Sequence, residues 1–182
     1  DGTPVLWSPC RAIHYVVNTD DAPPDFVLRV TEEVERVSEA TGLVFRYDGT
    51  TTEKLSEDRE AFVPELYGDR WAPLLIGWAD ADVYPYLDDE IAGLAHYEVA
   101  RDRSTRRLHL VSGQVILHIG KAPTTANRYL RVLRHELGHI VGLGHIEDED
   151  QLMHPGGPRR DFGDGDLAGL AAVGQGPCAP TL

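Results

Sequence analysis

The sequence predicts a mixed α/β (α+β) layer in one domain, and three observations predict it. Short apolar runs of strand length recur along the chain. Segments whose apolar residues repeat at helical spacing alternate with them, the pattern of a mixed layer. Size is the third: 182 residues with 42% hydrophobic content suit a single domain, residues 1–182, with a real core.

Residues 1–10 hold Pro4, Trp7 and Pro9 and read as an extended lead-in. Ile13-His14-Tyr15-Val16-Val17 reads as a buried strand, with Asn18-Thr19-Asp20-Asp21 as its turn. After Pro23 and Pro24, Phe26, Val30, Val34 and Val37 recur at helical spacing, and Gly42 is the stop. Leu43-Val44-Phe45-Arg46-Tyr47 predicts a second strand closed by Asp48-Gly49, and a polar stretch runs from Thr50 to Glu60. Leu74-Leu75-Ile76-Gly77-Trp78 is short and apolar, as a central parallel strand tends to be. Glu90 to Val99 and Leu108 to His118 read as the fourth and fifth strands. Between them Arg101-Asp102-Arg103-Ser104-Thr105-Arg106-Arg107 reads as a solvated hairpin tip. Thr124 or Thr125 can cap the next helix, which turns Leu130, Leu133, Leu137 and Ile140 inward. Pro155-Gly156-Gly157-Pro158 predicts a rigid, irregular segment.

Composition narrows the function. The net charge of −13 disfavours nucleic acid and anionic lipid as electrostatic partners, so neither nucleic acid nor membrane is expected. No apolar run approaches the roughly 20 residues of a membrane span, and no signal segment opens the chain, so a soluble, mature form is expected. Cys10 and Cys178, one near each end, sit in no C-x-x-C pair and away from the histidines. In a secreted domain they would form one disulfide; in a cytosolic protein they would be two free buried thiols.

The chemistry is concentrated in His135-Glu136-Leu137-Gly138-His139-Ile140-Val141-Gly142-Leu143-Gly144-His145, which fits H-E-x-x-H-x-x-G-x-x-H. Average residue usage makes such a match a chance event in about one in 10⁵ chains of this length, so the motif is specific. A catalytic zinc takes three protein ligands and keeps a fourth corner open. On a helix His135 and His139 lie roughly 40° and 6 Å apart on one face. His145 on the same helix would be roughly 9 Å further along and turned away by about 120°, out of reach. Gly142 solves this, because glycine takes the left-handed conformation that ends a helix and lets the chain turn back. Glu136 projects beside the metal face, placed to exchange protons with water there. A structural zinc site would fill the fourth corner with Cys or His, and no cysteine is near.

Eight residues after His145, Leu152-Met153-His154-Pro155 contains the only methionine of the chain. With this the sequence resembles the metzincin zinc metallopeptidases, in the matrixin (matrix metalloproteinase-like) branch and a bacterial-type secreted form. Astacins and serralysins carry Tyr two residues after the turn Met, where Pro155 stands here; reprolysins follow the third His with Asp, here Ile146; snapalysins replace that His with Asp. The resemblance is clear from about Thr125 to Gly174 and weaker before.

That resemblance implies a five-stranded mixed twisted sheet, two long helices, a zinc cleft and a small C-terminal subdomain ending in a third helix. Residues 1–145 would form the upper subdomain and 146–182 the lower, with Asp164 to Gly174 as the closing helix. It implies Met153 as an apolar floor under the histidines and Gly93-Leu94-Ala95-His96-Tyr97 as the sheet edge along which a substrate lies extended. Pro155 and Gly156 would begin the outer wall of the pocket just beyond the scissile bond. Arg131, one turn before His135, would either stand at the bottom of that pocket and make it shallow or polar-floored, or be an ordinary surface arginine. Matrixins carry a structural zinc and several calciums bound before the fifth strand; the corresponding region here is the arginine-rich hairpin. His14, His96, His109, His118 and His154 therefore predict no second zinc, and calcium is possible but unsupported, because Asp80, Asp82, Asp88 and Asp89 read as solvated loop acids. The propeptide cysteine that keeps the family latent is absent from these residues.

The expected function is a secreted, extracellular zinc endopeptidase with one catalytic Zn2+ held by His135, His139 and His145 and Glu136 as general base. A monomer acting on protein or peptide substrates is expected. Two rivals are a zinc hydrolase with a narrow or non-peptide substrate and a silent domain that binds extended peptides. Glu136 weighs against silence, because binding alone needs no general base.

Overall fold

The computed structural model describes residues 4–87, 91–120 and 129–182. Within them run β1 (Ile13–Asn18), α1 (Phe26–Thr41), β2 (Phe45–Thr51), α2 (Pro64–Tyr67), β3 (Leu74–Ala79), β4 (Gly93–Arg101), β5 (Leu108–His118), α3 (Leu130–Val141) and α4 (Asp164–Val173). The five strands form one sheet in the order β2-β1-β3-β5-β4, parallel except for the antiparallel β4–β5 pair. The fold is the predicted mixed α/β layer. Glu90, Asp88, Asp89, Thr124 and Thr125, to which the sequence assigned a strand start, candidate calcium ligands and a helix cap, lie outside the described residues.

β3 occupies the centre, and all six of its residues are buried, as its apolar run requires. α1 buries Phe26, Val30, Val34 and Val37 and ends at Gly42, whose φ of 74° is left-handed. Helices α1, α3 and α4 pack together, and side chains from α1 and α3 share one core with β1, β3 and β5. The other face of the sheet carries a smaller cluster, in which Leu55, Tyr84 and Leu87 from irregular segments cover Val16, Leu75 and Ile116.

The fourth strand begins only at Gly93, after Ile91 and Ala92, and two other expected boundaries move for physical reasons. β2 begins at Phe45 and runs through Asp48-Gly49 rather than stopping there. Tyr47 pairs with Tyr15 and Thr50 with Val17, so Asp48 and Gly49 together oppose Val16 as a bulge, which the φ of 111° at Gly49 permits. The fourth strand runs two residues past Val99, to Arg101, because a second bulge at the Glu98/Val99 step keeps it in register with Leu108. The single turn α2 was not anticipated.

The hairpin after β4 is solvated at Arg103, Arg106 and Arg107, but Asp102 within it is fully buried. Its carboxylate accepts from the N–H groups of Ser104 (3.0 Å), Thr105 (2.7 Å) and Thr181 (2.8 Å), and from the three hydroxyls of the same residues. Burial alone would raise its pKa; these donors, led by the Thr105 and Thr181 backbone, outweigh it and hold the carboxyl well below the usual range. The chain's C-terminal segment is thereby pinned to the hairpin. Cys10 and Cys178 form a disulfide, with Cα atoms 5.4 Å apart, that closes the same end.

Candidate active site

α3 turns Leu133, Leu137, Ile140 and Val141 into the core, each fully buried, and leaves His135, Glu136 and His139 along the edge of that stripe. The helix stops at Gly142, with φ 113°, and the Gly138 carbonyl accepts from Leu143 N–H at 3.0 Å as the chain turns. His145 comes back over the helix end. The Nε2 atoms of the three histidines stand 3.1, 3.1 and 3.2 Å from one another. Ligands about 2.0–2.1 Å from one tetrahedral centre are about 3.3 Å apart, so this triangle has the size a zinc ion requires.

The tautomers agree. His135 Nδ1 lies 2.8 Å from the Leu152 carbonyl and His139 Nδ1 lies 2.8 Å from the Leu143 carbonyl. A carbonyl only accepts, so each Nδ1 carries the proton and each Nε2 presents a lone pair to the shared point. Burial lowers the His135 pKa to about 4 and lowers that of His139 as well, keeping both rings neutral, as a metal ligand must be. Among the described residues this triad is the one group of His, Cys, Asp and Glu compact enough for a metal. These donors fit zinc.

Met153 is 1% exposed and packs against α3 at Gly138, between the first two histidines. A Cβ at Gly138 would stand 2.6 Å from Met153 Sδ, so the glycine between His135 and His139 lets the sulfur press against the helix backbone. Asp166, buried in the first turn of α4, holds the methionine turn: its carboxylate accepts from the N–H groups of Leu152 (2.6 Å), Met153 (3.3 Å) and Gly163 (2.9 Å). In the sequence Asp166 looks like an ordinary acidic residue near a helix start, and nothing local marks it as a brace. The same brace fixes the Leu152 carbonyl that orients His135.

An open cleft of about 950 Å³ runs past the triad. Of the residues expected to hold substrate, Gly93, Leu94, Ala95, Arg131 and Pro155 line it; Gly156 does not, and its N–H points to His154 Nδ1. Gly93 is a close approach: a Cβ there would sit 2.5 Å from Val132 Cγ1 and 3.1 Å from Glu136 Cγ. The edge strand thus lies directly over the active-site helix. Tyr97, the last residue of the expected substrate edge, also lines the cleft, together with Val99, Pro4 and Val5, which the sequence does not mark as site residues. Glu136 is 6% exposed, and burial pushes its carboxyl up to about 8 against the opposing charge of Arg131. The arrangement can hold a divalent metal, present a carboxylate to water beside it, and accept an extended chain along β4.

Comparison with known proteins agrees with this geometry. A family model described as Matrixin matches residues 71–161, which span β3 to the wall segment after the methionine turn. The fold is similar to the crystal structure of archaemetzincin from Methanopyrus kandleri, at TM-score 0.53 and 20% identity, covering 88% of this chain and 93% of that one. No curated protein matches the chain by sequence.

Proposed function

This chain belongs to the matrixin family of metzincin metallopeptidases, and from that premise we propose that it is a secreted zinc endopeptidase that cuts extended protein substrates. The observation that carries the proposal is the convergence of three Nε2 atoms at 3.1–3.2 Å beside the Glu136 carboxylate in an open cleft.

His135, His139 and His145 would hold one zinc ion. Zinc bound there supplies Lewis acidity toward a substrate carbonyl and brings the pKa of a water near neutrality. Glu136 takes the proton as the water oxygen bonds to the carbonyl carbon, and returns it to the departing nitrogen as the C–N bond breaks. Its burial favours this exchange, because few water molecules compete for the proton that the carboxyl group takes up and returns. β4 has no strand on its outer side among the described residues. Its free N–H and C=O groups can pair with a substrate backbone whatever its sequence, as an endopeptidase needs.

Secretion is supported by the Cys10–Cys178 disulfide, which suits an oxidising compartment. A monomer needs no second chain to complete the site, and calcium has no assigned place in this reading. The test is cleavage of casein and a mixed peptide library by the purified protein, with Glu136→Ala and a chelated sample as controls. Cleavage should occur and fall by about 10²-fold or more in Glu136→Ala. Absence of cleavage by protein holding one zinc would overturn the endopeptidase reading.

A further inference from the structure

Two arginines of α3 reach the segment after the methionine turn, and they are used differently. Arg134 is buried and paired with carboxylates: Nε and Nη2 grip the Glu33 carboxylate at 2.6 and 2.8 Å, and Nη1 donates to the Arg160 carbonyl and lies 3.2 Å from Asp161 Oδ1. Arg131, half-buried in the cleft wall, uses only one edge of its guanidinium. Nε donates to the Arg159 carbonyl at 2.9 Å and Nη2 to the Gly157 carbonyl at 2.6 Å. A guanidinium has five N–H groups, and the pair at its outer end, one on Nη1 and one on Nη2, matches the two oxygens of a carboxylate. Among the described residues Arg131 has no carboxylate partner and that end has no acceptor.

The half of the substrate it would meet follows from Glu136. That carboxylate must reach the departing nitrogen, so the amine-side half of the substrate lies at the Glu136 end of the triad. Val132 and Arg131 are the next cleft-lining residues of α3 in that direction, while Gly142, Pro4 and Val5 lie at the other end. We propose that Arg131 binds a carboxylate carried by the amine-side half of the substrate, so that acidic residues are preferred next to the cleaved bond. This rests on the peptidase reading above. The two carbonyl bonds already fix the guanidinium, so binding need not order a free side chain. The net charge of −13 opposes acidic substrates only at long range, where about 0.15 M salt screens it over roughly 8 Å.

The carboxylate can come from an Asp or Glu side chain or from the free C-terminus of a short leaving piece. The experiment measures binding rather than turnover, using zinc-loaded Glu136→Ala protein and fluorescent peptides at physiological salt. One pair differs only in Asp against Asn after the intended cleavage point; a second pair carries Asn there and ends two residues later as the acid or the amide. At least one pair should favour the carboxylate by about tenfold, as a charge-assisted contact does, and the pair that does so identifies the source. The same preference should fall to about onefold when Arg131→Gln is added, with zinc content and melting temperature retained. Equal binding within both pairs would overturn the proposal whether or not the wild type cleaves casein. Discrimination without casein cleavage would sink the endopeptidase reading and leave the carboxylate site standing.

Discussion

The two faces of the sheet are covered in different ways. On one, α1 and α3 lay apolar stripes against β1, β3 and β5, and the core needs little polar help beyond the Glu33–Arg134 pair. On the other there is no long helix among the described residues. Irregular chain must satisfy its own backbone, and side chains do it: buried Arg59 grips Glu53 at 2.9 and 3.2 Å and donates to Ser112 Oγ, the Gly113 carbonyl and the Pro73 carbonyl. Gln114 likewise closes a pair of bonds with the Ser56 backbone, 2.7 and 3.0 Å. One face is held by area and the other by a few polar pins, so single substitutions should act very differently on them.

Arg59→Met gives the largest expected effect on stability. It leaves the Glu53 carboxylate, its side chain 11% exposed, with the Tyr67 hydroxyl but no cation, and breaking such a largely buried pair from one side costs about 3 kcal/mol. Urea unfolding should show that loss while the folded fraction still takes up zinc as the wild type does. A change within about 0.5 kcal/mol, the range of ordinary surface substitutions, would mean the loop face is not held by this ion pair.

Gly138→Ala strikes the helix-covered face at the Met153 contact. The new methyl must displace the sulfur, an overpacking that costs about 1–3 kcal/mol. Unlike Arg59→Met, it should also weaken zinc binding, by about tenfold if the floor matters as other supports of metal ligands do. Competition with a chromogenic chelator reads this, and unchanged affinity would show the floor to be packing only.

The smallest effect sharpens the contrast at the sheet edge. Because the Asp102 carboxyl titrates lower in the folded protein than in the unfolded chain, the stability it contributes is present above the unfolded pKa of about 3.9 and is lost as pH falls below it. In Asp102→Asn the melting temperature should start lower at pH 7 and decline less steeply between pH 5 and 3. Parallel declines in the two proteins would remove Asp102 from the account of acid sensitivity.

What could be read from sequence divides along the same line. Phe26, Val30, Val34 and Val37 repeat at helical spacing, so α1 was legible down to its stop at Gly42. The H-E-x-x-H-x-x-G-x-x-H spacing was enough to foresee a glycine turn and three converging imidazoles, because helix geometry and tetrahedral coordination leave few alternatives. Arg59 and Gly113 are 54 residues apart, and Gln114 and Ser56 are 58, so nothing near either residue announces its partner. Asp166 was missed for the same reason, as it acts on backbone 13 and 14 residues upstream. The Asp48-Gly49 pair misled because the dipeptide that closes hairpins also accommodates a bulge inside a strand.

Titrating zinc into the chelated protein while following peptide cleavage tests the central claim most directly. Activity should rise linearly, reach its plateau at one equivalent of zinc per chain, and fail to return in His139→Ala. Cleavage that survives chelation, or that recovers equally in His139→Ala, would contradict a peptidase built on the His135, His139 and His145 triad.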